Sequence, residues 1–360
     1  MMRLGTLRQT AARSALLALA VVLSGASASL AGQQTGRPPS VRVWEGTVVI
    51  PTYTMGADDL NPHFRETSGS IIYPYTMQDR FGTRREDRTY RALFLENEHL
   101  RVMCLPEIGG RIQSVYDKTT GEEMFYRNHV IRPGYIALRG AWVSGGIEWN
   151  RGPAGHTVTS FSPVDVQPVQ NPDGSASLLI GSTEKNFRTG WQVTLTLYPG
   201  RKLLDERIRL FNPTDGMHSY YFWNNTAFPN TPGTRYIYPM SLGSDHNGTE
   251  FFSWPVHEGR DLTWLRNYPE PTSVFGYQVN FDFFGAYDVD RDFGIVQVAD
   301  HYVLPGKKAW TWGESQAGKV AQSALTDNDG PYIEVQSGPL PTQADFGLLE
   351  PGQEISWREY

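Results

Sequence analysis

The chain has 360 residues, 39% of them hydrophobic, and a formal net charge of −6 at pH 7. This acidic balance, without any basic block, argues against nucleic acid or an anionic membrane surface as a partner. Cys104 is the only cysteine, so an intrachain disulfide is impossible, and no spacing of His and Cys indicates a zinc site. Because Cys104 lies in an apolar run, we expect a buried and unreactive thiol. Stability must therefore come from a large hydrophobic core.

The first 31 residues are typical of a signal peptide. Three arginines accompany an apolar run at residues 14–23 that is too short to span a bilayer. Two A-x-A-like cleavage sites follow, at residues 26–28 and 29–31. Leaving out this segment, which carries three arginines and no acid, takes the net charge from −6 to −9. We expect an exported protein, periplasmic or extracellular, with a flexible tether at residues 32–40.

Beyond the tether the sequence predicts many short strands and almost no helix. Apolar and polar residues alternate in short runs that end at turn residues. In residues 191–198, for example, Trp191, Val193 and Leu195 share one face. The segment 245–271 lacks periodicity and is rich in Trp, Pro and His, so we expect a long binding loop there. The predicted strands are residues 41–50, 92–95, 100–105, 111–116, 122–126, 164–169, 176–180, 191–198, 202–211, 220–228, 277–287, 294–298 and 332–336.

Strands at this density, without intervening helices, predict an all-β protein of stacked antiparallel sheets. No repeat of fixed period is found, which disfavours a propeller. We expect residues 41–360 to form one β domain, in which 41–88 could be an N-terminal strand extension. The strand beginning at residue 354 stops abruptly at residue 360, so we expect either that the chain continues or that the partner of this strand is missing.

Two motifs resemble those of galactose mutarotase-like proteins. The first is IGGRIQSVYD at residues 108–117, where a Gly-Gly turn leads into a strand, followed by GEEM at 121–124. The second, YIEVQSGP at residues 332–339, looks like the Glu-x-Gln strand that carries the catalytic base of aldose 1-epimerases. The resemblance covers about residues 90–360. It implies a large antiparallel β-supersandwich with a sugar-sized cleft on one face.

The chain is also similar to an uncharacterised bacterial subgroup, the DUF5107 type of domain. This similarity rests on SGGIEWN at residues 144–150, WG at 312–313 and LTD at 325–327. In that subgroup the domain is often followed by helical repeats, which would explain the abrupt C-terminal strand.

The resemblance makes Glu334 the expected general base. Ile333 and Val335 are apolar, so Glu334 and Gln336 share the opposite face of their strand. That face could equally be an exposed outer surface. A sugar site needs a titratable group for proton transfer and polar groups for the hydroxyls. We therefore predict that Glu334 faces the cleft and that Gln336 binds substrate beside it.

The usual partner of this base is replaced here. In aldose 1-epimerases a His, the general acid, lies on a strand after an Asn-x-Thr/Ser turn, and Asn225 stands at the corresponding position. An amide can hydrogen-bond a ring oxygen but cannot give it a proton. Asn225 is therefore predicted to bind substrate. His218, seven residues earlier, is a poor substitute for the missing acid.

The segment from Ser144 to His156 supplies further candidates, because it holds an acid, an indole, an amide and an imidazole close together. We predict that Glu148 and His156 are catalytic, with His156 as the proton donor. The alternative is a turn with a buried Trp and a Glu–Arg ion pair. Core packing is also at least as common a fate for a residue such as Trp312 as stacking on a sugar. Four more side chains are predicted to contact substrate: Trp149, Asn150, Trp312 and Arg111.

Two carboxylates also permit glycoside hydrolysis, in which one protonates the leaving oxygen and the other activates water. We predict an exported carbohydrate-active enzyme that acts at the anomeric centre of a mono- or oligosaccharide. Because Asn225 replaces the expected acid, hydrolysis is placed ahead of anomer interconversion. The alternatives are a mutarotase-like isomerase, and a carbohydrate-binding or structural domain of a longer repeat protein. No metal or cofactor is expected, and the sequence does not indicate an oligomeric state.

Overall fold

The computed structural model of the chain describes residues 41–59, 72–152 and 155–360. The predicted signal peptide (1–31) and tether (32–40) lie outside the described residues. The described residues all belong to one compact unit. Within this described part, no helix is long and apolar enough to cross a membrane.

The described residues form mostly strands, and neighbouring strands within each sheet run antiparallel. The α-helix α1 (Gln316–Ser323) begins after Ser315, whose side chain accepts a hydrogen bond from the Gly318 amide. A 3-10 turn lies at Leu265–Asn267. The strands in chain order are β1 (Arg42–Met55), β2 (Phe81–Glu96), β3 (Leu100–Leu105), β4 (Arg111–Asp117), β5 (Glu122–Glu123), β6 (Gly134–Ala137), β7 (Gly140–Trp142), β8 (Ile147–Asn150), β9 (Asp165–Gln170), β10 (Ala176–Thr183), β11 (Gly190–Leu197), β12 (Asp205–Phe211), β13 (His218–Tyr220), β14 (Trp223–Pro229), β15 (Thr234–Ile237), β16 (Leu242–Ser244), β17 (Phe251–Ser253), β18 (Val256–His257), β19 (Arg260–Asp261), β20 (Thr272–Tyr277), β21 (Phe283–Asp288), β22 (Phe293–Val298), β23 (Gly306–Thr311), β24 (Tyr332–Gly338), β25 (Gly347–Leu349) and β26 (Glu354–Glu359).

The largest sheet has twelve strands in the order β1-β2-β3-β4-β8-β14-β24-β23-β20-β16-β17, with β5 paired to β4. A five-stranded sheet has the order β26-β12-β11-β10-β9. A three-stranded sheet, β15-β21-β22, and the pairs β13-β25, β18-β19 and β6-β7 complete the described architecture. This is the all-β stack of antiparallel sheets that the sequence predicted.

The main hydrophobic core lies between one half of the large sheet and the five-stranded sheet. Trp191, Val193 and Leu195 of β11 are buried there, as their alternation predicted. They share this core with Leu93 and Val102 from the large sheet. Side chains at every second position of each strand therefore form the apolar layer that holds the two sheets together.

A second core covers one face of the other half of the large sheet. Ile333 and Val335 of β24 pack there with Phe284 and Ala286 from the three-stranded sheet. Because side chains alternate along a strand, the residues between and beyond Ile333 and Val335 point to the opposite face of the large sheet. That opposite face is where the polar residues of β24 gather.

Three local expectations are corrected by the structure. The predicted strand 277–287 is broken, because Gln278 has a left-handed φ of 52° that ends β20 before β21 begins. The segment 245–271 is not wholly irregular and contains β17, β18, β19 and the 3-10 turn. The terminal strand β26 pairs with β12, so its partner is present.

Gly146 sets the backbone conformation immediately before β8, where the chain passes close to β4. Its φ is +65°, and a Cβ atom built at this position would lie 1.8 Å from the carbonyl oxygen of Ile112. Side chains other than glycine are disfavoured at such a φ, and this contact leaves no space for one. The position of Glu148, two residues later, therefore depends on this glycine.

We expect Gly146→Ala to destabilise the fold by about 2–5 kcal/mol, from left-handed strain plus overpacking. The matched control is Gly259→Ala, because Gly259 also has a positive φ (+74°) but no atom within 4 Å of the added Cβ. The control should lose only about 1–2 kcal/mol. Urea unfolding of both variants measures the difference, and equal losses would contradict the steric role of Gly146.

Candidate functional site

A cavity of about 400 Å³ lies on the polar face of β24. Its lining residues come from distant parts of the chain, and the central strands of the large sheet supply its floor. The lining residues are Ile136, Trp142, Asn150, Gly155, His156, Tyr221, Asn225, His246, Lys308, Trp310, Trp312, Glu334, Gln336 and Gln343.

The floor is set by the register of four adjacent strands. Asn225 of β14 lies opposite Glu148 of β8 on one side and opposite Gln336 of β24 on the other. Gln336 in turn lies opposite Lys308 of β23. Residues directly opposite each other in an antiparallel sheet project to the same face. Four polar side chains therefore form one row across the sheet, and Glu334 lies two residues from Gln336 on the same face.

Glu334 is a buried carboxylate that lines this cavity, with only 5% of its surface exposed. The Gln336 amide donates a hydrogen bond of 2.7 Å to it. Burial raises the pKa of Glu334 above 4.5; the Glu148 charge also raises it, while the His156 and Lys308 charges oppose the rise. A carboxylate with a raised pKa is a better proton acceptor once it is ionised, so the group is suited to general base catalysis.

Glu148 lies behind His156 and holds its ring. The Nδ1 atom of His156 is 3.0 Å from a Glu148 carboxylate oxygen, which also accepts a 2.9 Å hydrogen bond from Trp142 Nε1. The Arg111 guanidinium lies 3.7 Å from the same oxygen. Burial alone would raise the pKa of Glu148, but His156, Arg111 and Trp142 together lower it to about 2. Glu148 is therefore an anion, and the Nε2 atom of His156 is left for a ligand.

This geometry corrects the prediction that Glu148 is itself catalytic. Glu148 is not among the residues that line the cavity, because His156 lies between. A carboxyl group with a pKa of about 2 also carries no proton to donate near neutral pH. In the structure, Glu148 instead holds the ring of His156 in place through the contact at Nδ1.

Two predicted substrate-binding residues, Arg111 and Trp149, do not line the cavity. Trp149 is packed in the core between the sheets and donates a 3.0 Å hydrogen bond to the Gly110 carbonyl. Arg111 is buried, donates to the Gly145 carbonyl and faces Glu148. The prediction is wrong for both, because alternation along β8 turns Trp149 toward the core while Arg111 neutralises a buried carboxylate.

The remaining predicted residues converge on the cavity: Glu334, His156, Asn225, Gln336, Asn150 and Trp312 all line it. Within the part of the chain that the structure describes, the Oδ1 atom of Asn225 is buried without a hydrogen-bond partner. Such an atom is costly to leave unpaired, so a ligand hydroxyl is a suitable donor to it. The rings of Trp310 and Trp312 meet edge to face with centroids 5.8 Å apart and form an apolar wall.

Sequence reasoning missed His246 and Lys308. His246 belongs to the segment 245–271, whose content of Trp, Pro and His did indicate a binding loop, although no single residue was identified. Lys308 is brought to the site by its register with Gln336, which the sequence of one strand cannot show. Trp142, Trp310, Tyr221 and Gln343 reach the cavity in the same indirect way.

We expect Glu148→Gln to lower stability by about 3–5 kcal/mol near pH 6, because Arg111 then stays buried without its counter-charge. Glu148 has a lowered pKa, so its contribution is present above its unfolded pKa of about 4.5 and is lost as pH falls toward about 2. The gap between wild type and variant, measured by urea unfolding, should therefore narrow steadily below pH 4.5. A gap that is constant between pH 6 and pH 3 would contradict this account.

The matched control is Glu359→Gln, a buried glutamate outside the cavity. Ser337 and Gln297 donate hydrogen bonds of 2.6 and 2.8 Å to Glu359, and burial raises its pKa. Because the pKa of Glu359 is raised in the folded state, its ionisation lowers the free energy of unfolding as pH rises. The pH dependence of its contribution is therefore opposite to that of Glu148. The stability of this variant relative to wild type, measured by urea unfolding, should increase from pH 4 to pH 7.

The fold and the family are shown by comparison with known proteins. A solved structure of a TPR-domain containing protein from Parabacteroides distasonis ATCC 8503 is 27% identical, with a TM-score of 0.81. The match covers 90% of this chain and 55% of that chain, so the chain spans about half the length of that protein.

Two more distant structures show the fold alone. A galactose mutarotase-like protein from Clostridium acetobutylicum is 13% identical, with a TM-score of 0.54, over 75% of this chain and 94% of that chain. A candidate aldose 1-epimerase from Klebsiella pneumoniae subsp. pneumoniae is 13% identical, with a TM-score of 0.53. That match covers 89% of this chain and 90% of that chain. The family described as a domain of unknown function, DUF5107, matches residues 68–350. The chain therefore belongs to the DUF5107 family and has a galactose mutarotase-like β-sandwich fold, as the two resemblances in its sequence predicted.

Proposed function

We propose that this domain binds a pyranose sugar in the cavity and interconverts its anomers, with Glu334 as general base and His156 as general acid. One observation carries the proposal: a carboxylate of raised pKa and an imidazole held by a buried anion line the same cavity. Groups kept in opposite electrostatic environments are typical of acid–base pairs. The galactose mutarotase-like fold of the chain supports a sugar as the ligand.

The proposed reaction moves two protons. Glu334 accepts the proton of the anomeric hydroxyl, and the electrons of that O–H bond form the aldehyde C=O bond. The bond between C1 and the ring oxygen breaks, and the ring oxygen takes a proton from Nε2 of His156. Rotation about the C1–C2 bond followed by closure on the other face gives the second anomer, and both protons return to their donors.

The other lining residues have binding roles in this scheme. The unpaired Oδ1 atom of Asn225 accepts a hydrogen bond from a sugar hydroxyl. Trp310 and Trp312 offer ring faces to the apolar side of the pyranose. Asn225 is not needed as an acid in this scheme, since His156 supplies the proton that the histidine of aldose 1-epimerases would give.

Glycoside hydrolysis, which the sequence favoured, is less well supported by the site, because Glu148 does not line the cavity. It needs two carboxyl groups facing the glycosidic bond. Among the carboxylates of the described residues, only Glu334 lines the cavity, while Glu148 is held behind His156. Anomer interconversion needs one base and one acid, which Glu334 and His156 provide. We therefore place interconversion ahead of hydrolysis.

A non-catalytic sugar-binding domain is the second candidate function. The observation that favours it is Asn225, which stands where aldose 1-epimerases have their acid. This alternative differs in one measurable respect, because sugar would bind without any rise in the rate of anomer exchange.

We also propose that the protein is exported, on the pattern of residues 1–31 alone.

We expect Glu334→Gln to lower the rate of anomer exchange by at least about 100-fold, because the amide cannot accept the proton. Saturation-transfer NMR on freshly dissolved single anomers measures this rate. The matched control is Glu359→Gln, which makes the same change at a buried glutamate outside the cavity and should keep the wild-type rate. Exchange that is unchanged in Glu334→Gln would contradict the role of Glu334.

The pH dependence of exchange gives an independent test on the wild-type protein. Glu334 must be ionised to accept a proton, and burial raises its pKa above 4.5. The rate should therefore fall on acidification, with the midpoint of the acid limb above pH 4.5. Initial exchange rates between pH 4 and pH 8 measure it. A midpoint at or below pH 4.5 would contradict the assignment of the base to this buried group.

A further inference from the structure

Lys308 places a buried ammonium group in the wall of the cavity. Only 4% of this residue is exposed, and it lines the cavity directly. Its Nζ atom donates a hydrogen bond of 2.6 Å to the side-chain oxygen of Gln343, which is neutral. Among residues 41–59, 72–152 and 155–360, no carboxylate oxygen lies within 4.0 Å of Nζ. A buried cation without a close counter-charge is unusual in a folded protein.

Only weak interactions offset the buried positive charge of Lys308. The rings of Phe275 and Trp310 each lie 5.5 Å from Nζ and provide cation–π contacts. Glu334 attracts the ammonium from beyond ion-pair distance. Burial lowers the pKa of Lys308 to about 8, and the Glu334 charge offsets only part of that shift. The cavity therefore keeps a cation that an anionic ligand would stabilise.

His246 lies in the same corner of the cavity. Its ring packs near Phe275 and Trp310, with centroids 6.3 and 6.4 Å away, so it shares both rings with Lys308. The Nδ1 atom lies 2.7 Å from the hydroxyl oxygen of Ser273. When that hydroxyl donates to Nδ1, the neutral ring carries its hydrogen on Nε2 and presents a donor to a ligand. We refer to these two side chains as the Lys308–His246 subsite.

We propose that the Lys308–His246 subsite binds a carboxylate on the sugar, so that the ligand class is the uronic acids. This inference rests on the proposed function, in which a pyranose occupies the cavity. The subsite offers one cation and one neutral donor, which match the single charge and two oxygens of a carboxylate. A phosphate group, with more charge and three oxygens, would call for further donors.

The position of the subsite suits such a sugar. Lys308 lies on β23 opposite Gln336, and Glu334 lies two residues farther along β24. The Lys308 ammonium and the Glu334 carboxylate therefore lie on adjacent strands of the floor, beyond ion-pair distance of each other. In a uronic acid the carboxylate on C5 and the hydroxyl on C1 flank the ring oxygen on opposite sides. One molecule can therefore place its carboxylate near Lys308 while its anomeric hydroxyl meets Glu334.

Calorimetric titration of the full chain tests the subsite with five probes: sodium glucuronate, glucose, sodium galacturonate, galactose and glucose 6-phosphate. The wild type should bind at least one uronate about 10- to 100-fold more tightly than its neutral counterpart, the effect of one hydrogen bond to a charged group. This comparison needs no variant. Equal affinities within both pairs would overturn the proposal, as would tighter binding of glucose 6-phosphate than of glucuronate.

A matched pair of variants tests whether Lys308 is the cause. Lys308→Met removes the charge and keeps much of the bulk, and it should abolish the preference for the uronate. Lys307→Met makes the same change on the opposite face of β23, where Lys307 is also buried and contacts Phe284. It should keep the preference. A uronate preference that survives in Lys308→Met would overturn the proposal.

Failure of the subsite and failure of the proposed function give different results. If uronates bind through Lys308 but no sugar shows faster anomer exchange, the subsite stands and the proposed reaction is wrong. If neutral sugars exchange in a manner that depends on Glu334, and uronates bind no better, the reaction stands and the subsite is overturned.

Discussion

The site depends on the alternation of side chains along β24. Ile333 and Val335 face the second core, which obliges Glu334 and Gln336 to face the cavity. Since β24 lies near the middle of the large sheet, its register also aligns Asn225 on one neighbour and Lys308 on the other. A shift of one residue would bury Glu334 in the apolar core and turn Val335 toward the cavity, so packing energy fixes which face of β24 lines the cavity.

The two glutamates of the site differ in proton affinity because their surroundings differ. Glu148 has three partners and its pKa is lowered to about 2, so it stays ionised and holds His156. Glu334 is hydrogen-bonded by one amide and burial raises its pKa, so it can exchange protons. Burial alone would have raised both pKa values. The neighbouring His156 and Arg111 make the difference at Glu148, which is why we assign the proposed base to Glu334 and not to Glu148.

Strand periodicity was sufficient to predict an all-β protein and to place Glu334 and Gln336 on the face of β24 opposite Ile333 and Val335. That this face lines a cleft was predicted from the resemblance to aldose 1-epimerases. It was not sufficient for β8, where four residues are too few to fix the phase, so Trp149 was placed in the site instead of the core. Arg111 was misassigned because its partner, Glu148, is distant in sequence and an internal ion pair leaves no periodic signal. Lys308 and His246 were missed since strand register and loop packing bring them to the cavity from far along the chain.

Both proposals require a pyranose in the cavity between Glu334 and His156. A crystal structure of the Glu334→Gln variant soaked with a monosaccharide shows whether one binds there. We expect the sugar in the cavity, with its anomeric hydroxyl within hydrogen-bond distance of residue 334 and its ring oxygen next to Nε2 of His156. A sugar bound elsewhere on the domain, with the cavity free of it, would rule out this binding mode.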